Sequence, residues 1–516
     1  MARTRSTGSR PTGRRLAAVD LGAGSGRVVL GVFDGERLRV EEAHRFPNPP
    51  VRLGGTLHWD LLRLYGEVIA GLGRASRLAG GGLESIGVDA WGVDFGLLDA
   101  RGRLLANPVH YRDRRTRGVL ERVCTRVPAE ELFATTGIQL MPINTLFQLV
   151  SMVEAEDPLL DLARTLLTIP ALVQRFLAGP ALCEFTSATT TQCYDPRRRG
   201  WATPLLERLG VPTHLFPEVV EPGTVLGEVV GEAREELGGG VRVIAPATHD
   251  TGSAVAAVPL ADDVAYISCG TWSLVGVEVP EPVLTRRALQ ANLTNEGGVG
   301  GTFRLLKNVT GLWLLEECRR AWARSGTVYD HARLLALAEA APSGRALIDP
   351  DDERFAAPAD LPSEVRSRCR ETGQPEPHGP GEVVRVILES LALRHRVVVR
   401  RLEEVSGRRL SRVHVVGGGA RNRLLCQLTA DACGLPVRVG PVEATAIGNL
   451  VVQAVALGEL SGLAEARELV RRSFPSRELE PRAGAWDELA RRFEARFGGP
   501  SRPGAPGGFE GRDEAS

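Results

Sequence analysis

Lysine is almost missing from this 516-residue chain: of its 63 basic side chains one, Lys307, is a lysine and all others are arginine. A lone ammonium among guanidinium groups is either a remnant of that bias or a position where a compact point charge is needed. Net charge is missing too, at +0 from 63 acidic and 63 basic residues. That removes the broad field that would gather nucleic acid or anionic lipid, and neither is expected as a partner. No apolar run approaches the roughly 18 residues of a membrane span. No apolar h-region follows the basic start at 1–15, so a secretory leader is not expected either. The eight cysteines never fall in C-x-x-C spacing, which argues against a zinc site or a disulfide framework and fits reduced thiols in a cytoplasmic protein. Two nucleotide signatures are absent as well. Without G-x-x-x-x-G-K-[ST] a P-loop is excluded, and without G-x-G-x-x-G opening a helix a Rossmann site has little support.

Glycine, by contrast, is plentiful at 59 residues, and three of its clusters end apolar strands. Asp20-Leu21-Gly22-Ala23-Gly24-Ser25-Gly26-Arg27 separates apolar stretches at 16–19 and 28–33. Bare backbone N–H groups brought close together suit a polyanion such as a nucleotide phosphate. Asp20 is badly placed to touch phosphate but well placed to hold a hydrated Mg²⁺ beside it. The second cluster, Cys269-Gly270-Thr271-Trp272-Ser273, lies between strands at 265–268 and 274–279; the third, Gly417-Gly418-Gly419, closes a strand at 413–416 and opens a helix. One such turn is more often a hairpin's own requirement. Three, spread over two halves, read as a nucleotide site between two lobes.

Hydrophobic periodicity predicts a third strand over 38–45, an amphipathic helix over 61–77, a strand over 85–89 and a hairpin of 95–99 with 103–105. Helical patterns fill 117–177, followed by a strand at 244–247 and a small-residue helix at 251–257. The second half restarts with the hairpin over 265–279. A strand at 303–307, helices at 312–323 and 383–405, a strand at 413–416, a helix at 423–433 and a strand at 437–439 follow. The same order occurs once in each half, which implies an internal repeat with its boundary near 257–264 and lobes at 15–258 and 259–480. Residues 1–14 and 498–516 have the composition of disordered tails.

Asp250 is the strongest catalytic candidate, between His249 and Thr251 at the junction of a strand and a helix. It is either the helix N-cap or a base that takes a proton from a substrate hydroxyl in phosphoryl transfer. Asp89-Ala90-Trp91-Gly92-Val93-Asp94 puts two carboxylates, an indole and a glycine around a strand end, a combination suited to a polyol. Arg112 to Arg117 reads as a solvated charged turn. Lys307, next to Asn308 at the end of a strand, is expected to point its ammonium at the cleft.

Together these residues resemble the FGGY family of carbohydrate kinases, from about position 16 to 477. The resemblance rests on the 20–27 turn, on Ser268-Cys269-Gly270-Thr271-Trp272-Ser273, and on the run 417–448 with Gly417-Gly418-Gly419-Ala420-Arg421-Asn422. His58-Trp59-Asp60, 89–95, Tyr111-Arg112-Asp113, 186–192, 292–298 and Leu306-Lys307-Asn308 with Gly311-Leu312-Trp313 are similar to one ketose-phosphorylating branch of it. The resemblance implies an α/β, actin-like ATPase fold, two ribonuclease-H-like lobes with ATP, Mg²⁺ and sugar in the cleft between them. It implies that Ala23, Gly24, Ser25, Gly26 and Arg27 contact ATP phosphates, with Thr271 on the phosphate side, Gly418 near the adenosine and Glu316 on the nucleotide. Gly92, His249, Asp250, Thr251 and Asn308 would contact the sugar, Asp250 as proton acceptor and Asp20 on the metal through water. Glu316 departs from that branch, which carries glutamine there; a carboxylate would repel phosphate. A kinase for a different ketose and a non-catalytic sugar sensor are the alternatives, and an intact Asp250 with three glycine turns speaks against the sensor.

Overall fold

The structure, a computed structural model, describes residues 13–355 and 358–497. The expected tails lie outside it, except for Gly13 and Arg14, and Arg14 already belongs to the first strand. Two sheets organise the molecule. The first uses β1 (Arg14–Leu21), β2 (Ser25–Phe33), β3 (Leu38–Pro47), β4 (Ser85–Ala90), β5 (Thr224–Glu228) and β6 (Arg242–Ala245), in the order β5-β6-β4-β1-β2-β3. The second uses β7 (Val264–Cys269), β8 (Trp272–Val279), β9 (Thr294–Gly297), β10 (Phe303–Thr310), β11 (Arg412–Val416), β12 (Val437–Val439) and β13 (Arg477–Leu479), in the order β9-β10-β8-β7-β11-β12-β13. In each sheet the first strand pairs antiparallel with the next and parallel with a later one, β1 with β4 and β7 with β11. That is the repeat read in the sequence.

Burial on both faces explains why these central strands are apolar runs instead of alternating ones. In β1, Ala17, Val19 and Leu21 join a core with Leu64, Val68 and Leu72. Those leucines and valine come from helix α1 (Leu61–Leu78), whose Asp60 cap accepts from the Arg63 N–H at 3.1 Å. Leu16 and Ala18, pointing the other way, join a core shared with Ala254 from α2 (Asp250–Ala256) and with Leu450 and Val451 from α4 (Ala444–Ala456). A helix late in the chain therefore backs the first sheet. α2 and α4 cross at Gly448, where any Cβ would collide with the Ser253 carbonyl, so only glycine lets them meet. The second sheet packs on the long helix α3 (Gly379–Ser406), through Leu305, Val309, Leu388 and Leu391.

Two local expectations change. Phe95–Leu98 pairs mainly with a strand Thr165–Thr168 that interrupts the helical stretch, and Leu104 contributes a single bridge to Leu98. A four-residue apolar strand is too short for its periodicity to separate it from helix. Among the described residues no helix is long and apolar enough to cross a membrane.

Candidate active site in the cleft between the sheets

The strand ends of both sheets meet at a cavity of about 280 Å³. On the first sheet the register sets Asp20 beside Asp89 on one side and Arg27 on the other. Arg27 donates to Asp20 Oδ2 from Nε at 2.8 Å and Nη2 at 2.6 Å, and it also pairs with Glu443. Asp89 accepts from Asn449 Nδ2 at 2.6 Å, while its Oδ1 is buried without a partner. Burial first, and then the charges of Asp20 and Asp250, hold the Asp89 carboxyl well above its ordinary pKa.

The turn between β1 and β2 is tied down by Gly22 N–H to the Ser25 carbonyl at 2.9 Å and Asn48 N–H to the Gly24 carbonyl at 3.1 Å. Gly22 and Ala23 line the cavity, whereas Gly24, Ser25, Gly26 and Arg27 do not form its wall. Gly26 sits inside β2, where a Cβ would fall into the Phe46 ring, so its glycine is a packing requirement; Gly24 has open space around it.

Asp250 opens α2, and the residue in the capping position is His249, with no side-chain cap bond. Its carboxylate is thus left to the cleft. It accepts from Thr251 Oγ1 at 3.0 Å and lies 3.5 Å from His249 Nε2. Burial raises its pKa, opposed by His249 and reinforced by Asp20. His249 Nδ1 is 3.1 Å from Arg304 Nη2 and 3.3 Å from Glu296 Oε2. Nδ1 thus sits between a donor, Arg304, and an acceptor, Glu296, and the tautomer decides which of the two bonds forms. Burial would raise the Glu296 carboxyl, but Arg304, His249 and Asn308 outweigh it and hold it below its usual value.

The facing wall comes from β10 and the helical insert. Asn308 gives its N–H at 3.0 Å and its Nδ2 at 3.3 Å to Gln139 Oε1, leaving Gln139 Nε2 buried and unpartnered. Thr294 Oγ1 is also buried without a hydrogen-bond partner, whereas Glu296 Oε2 is ion-paired with Arg304 Nη2 at 3.2 Å. Trp91, Tyr111, Ile138 and Met141 supply apolar surface, and Gly92 leaves room where a Cβ would sit 3.1 Å from Thr190 Oγ1. Unpaired polar groups beside aromatic faces suit a hydroxylated carbon skeleton. Thr251, Thr271 and Gly418 also line the cavity.

Several expectations are corrected here. Lys307 does not face the cleft. β10 continues to Thr310, so adjacent residues take opposite faces, and Asn308 lines the cavity while Lys307 is buried behind the sheet near Asp351 and Arg394. Burial lowers its pKa to about 8. Glu316 is not in the cavity wall; it pairs with Arg319 at 2.8 Å and His331 at 3.1 Å. Asp94 serves the indoles instead of a sugar, accepting from Trp59 Nε1 at 2.6 Å and Trp91 Nε1 at 3.0 Å. The 112–117 turn is not simply solvated: Arg112 stacks over Trp313 at 4.1 Å across the cleft, and Asp113 is buried, accepting from the Leu57 N–H. Gln139, Glu296 and Arg304 were missed. The acidic and basic pair could have been found from β9–β10 pairing; Gln139 carries no local signal.

Comparison with known proteins agrees with this geometry. Residues 16–257 match the N-terminal domain, and residues 265–457 the C-terminal domain, of the FGGY family of carbohydrate kinases. The chain is 45% identical over 473 residues to a rhamnulokinase of Bacteroides thetaiotaomicron, covering 91% of this chain and 96% of that protein. It is 41% identical over 490 residues to one of Pectobacterium carotovorum, covering 93% and 96%. Among solved structures it is similar to a ligand-bound xylulose kinase of Lactobacillus acidophilus (TM-score 0.78, 16% identity, 94% and 98% covered). It is also similar to Plasmodium falciparum glycerol kinase with ADP (TM-score 0.74, 14% identity, 94% and 97% covered).

Proposed function

The chain belongs to the FGGY family of carbohydrate kinases, and from that premise we propose that it is a rhamnulokinase, transferring the γ-phosphoryl group of ATP to L-rhamnulose to give L-rhamnulose 1-phosphate and ADP. The observation that carries this reading is a raised, uncapped Asp250 carboxylate facing a cavity whose other wall holds unpaired polar groups. Its support at the level of substrate is the group of relatives at 39–45% identity that bear the name rhamnulokinase.

In this reading Asp250 accepts the proton of the attacking hydroxyl. A raised pKa makes the ionised carboxylate a stronger base. His249, Asn308, Thr251 and Gly92 orient the sugar. Ala23 and the tied turn behind it, together with Thr271, bracket the phosphates, and Gly418 lies along the nucleoside; Arg27 reaches the phosphates by exchanging its contact with Asp20. The lobes, taken as 15–258 and 259–480, exclude water when they close. Among the described residues no group of three or more acidic, histidine or cysteine side chains stands where it could hold a metal ion directly, so the oxygen donors here suit a hydrated cation and not a directly ligated one. Asp20 would hold Mg²⁺ through its water shell, and the bound ion would neutralise charge on the transferring phosphoryl group.

A coupled ADP-release assay over a panel of ketoses and their parent aldoses tests the assignment. L-rhamnulose is expected to give the highest kcat/KM; a clear preference for L-fuculose or another ketose would reassign the substrate within the family.

A further inference from the structure

The segment that carries His249 and Asp250 is held from behind by a carboxylate that the proposed chemistry leaves unused. Glu184 is 1% exposed and caps the short helix Phe185–Thr190, its Oε1 accepting from the Thr186 N–H at 2.8 Å. Its Oε2 takes three more donors, the Thr186 and Thr248 hydroxyls at 2.6 Å each and the Thr248 N–H at 2.8 Å. The Thr186 hydroxyl, with its proton committed to Glu184, accepts from the His249 N–H at 3.1 Å. The backbone N–H groups of the two residues before Asp250 therefore both end on Glu184, one directly and one through Thr186.

Side chains add further ties, Ser187 Oγ with Thr248 Oγ1 at 2.7 Å, Ser253 Oγ on the Ala247 carbonyl at 2.6 Å and Arg304 on the His249 ring, but few backbone bonds fix this segment. β6 ends at Ala245, and beyond it the first sheet contributes a single bridge between Ala90 and His249, with the Ala90 N–H on the Thr248 carbonyl at 2.9 Å. Ala90 and Glu184 thus grip the segment from opposite sides. Thr186 also lies under the first turn of α2, where a Cβ on Gly252 would meet its Cβ at 3.3 Å. Four donors on one buried carboxylate, three on Oε2 and one on Oε1, engage both oxygens, and a buried hydrogen-bonded network of this kind is rigid. Burial pushes the Glu184 carboxyl up, and these same donors pull against that.

We infer that Glu184 is a positioning residue for catalysis: it fixes the 248–249 backbone so that the Asp250 carboxylate meets the sugar hydroxyl in line with the phosphoryl group. The inference rests on the reading of Asp250 as the base. It assigns Glu184 no contact with substrate. Displacing a catalytic group by about 1 Å costs on the order of 10²-fold in rate, and Glu184→Gln turns an amide NH₂ or a weaker acceptor toward donors that need a carboxylate.

The test is a double-mutant cycle on the full-length enzyme, with Glu184→Gln, Asp250→Asn and the pair, alongside Thr186→Val and Thr186→Ser. Expected are a fall in kcat of about 10²-fold for Glu184→Gln with both KM values within about threefold, a fall of about tenfold for Thr186→Val, and near-normal turnover for Thr186→Ser. In the Asp250→Asn background, Glu184→Gln should change the residual rate less than about twofold, because a residue acting only through Asp250 has nothing left to position. An equal effect in both backgrounds, or an effect confined to KM, overturns the inference while leaving the base assignment standing. Near-normal kcat in Asp250→Asn overturns the base assignment itself. Should Glu184→Gln not fold, equal activity of Thr186→Val and Thr186→Ser overturns the inference.

Discussion

The two sheets share a topology but end their strands in opposite chemistry. In the first, β1 and β4 run out at Asp20 and Asp89, and Asp250 follows β6. In the second, the corresponding ends carry Ser268, Cys269, Gly270, Thr271 and Gly417 to Gly419, with no carboxylate among them. Cys269 stays a neutral thiol, its pKa pushed up to about 11 by burial. A polyphosphate is repelled by carboxylates unless a cation intervenes, so the repeat has divided the work. On the proposed reading one lobe would hold the groups that move a proton and attract a cation, and the other would offer uncharged backbone to the nucleotide.

Asp250→Asn breaks the charged side most severely. It should lower kcat by about 10²-fold or more with little change in KM for the sugar, since a base acts on the transition state. Steady-state kinetics decide this; retained kcat would leave Asp250 no role in proton transfer.

The neutral side is tested by giving it what it lacks. Thr271→Asp should raise KM for ATP by about tenfold, roughly 1.4 kcal/mol of repulsion, whereas Thr271→Ser should not. A parallel contrast lies within the first turn. Gly24→Val, in open space, should raise KM for ATP, but Gly26→Val should lower the melting temperature by overpacking Phe46, at about 1–3 kcal/mol, without changing ATP affinity in the folded fraction. Equal ATP defects at both glycines would contradict that division.

The pH profile sharpens the comparison further. Asp250 must be ionised to accept a proton, so kcat/KM should fall as pH drops through its folded pKa. Burial and the Asp20 charge raise that pKa, so the acid limb should lie above the ordinary carboxylate value of about 3.9. A limb at or below that value would show that the neighbouring charge is already neutralised.

Lys307 belongs to neither side of the cleft, and its effect should be on stability. Its pKa in the folded protein is about 8 against 10.5 for the free side chain, so between those values the unfolded chain binds more protons. Stability should therefore rise with pH across that window, by on the order of 3 kcal/mol at most. Lys307→Met should abolish the rise, and Lys307→Arg should lower the melting temperature while leaving both KM values within about twofold. Smallest of all, Glu316→Gln should change KM for ATP less than about twofold, because Glu316 is engaged by Arg319 and His331 on the outside of its helix.

What the sequence displayed and what it hid follow from locality. Glycine punctuation between apolar runs exposed the hairpins, the repeat and the cleft, because turns and strands are set by neighbours in sequence. Asp250 was visible for the same reason, as a carboxylate where a strand gives way to a helix. Lys307 was misread because its direction depends on β10 continuing to Thr310, three residues further than the pattern suggested. The packing demand at Gly26 was hidden because Phe46, on the neighbouring strand, fills the space a Cβ would take. Gln139 was invisible, since its bond to Asn308 spans 169 positions and nothing around it marks a site.

The late helix α4 has a consequence for how the protein is made. Gln453 donates to the Ala17 carbonyl across 436 positions, and Ser85 Oγ donates to Gln453 Oε1 across 368. At a synthesis rate of about 5–20 residues per second, β1 leaves the ribosome roughly 20–90 seconds before the helix that covers one of its faces. Throughout that interval Leu16, Ala18 and Val29 have no native cover from α4. A chain truncated before 444 leaves that apolar sheet face uncovered and should emerge as an aggregating fragment, not as a stable half-enzyme.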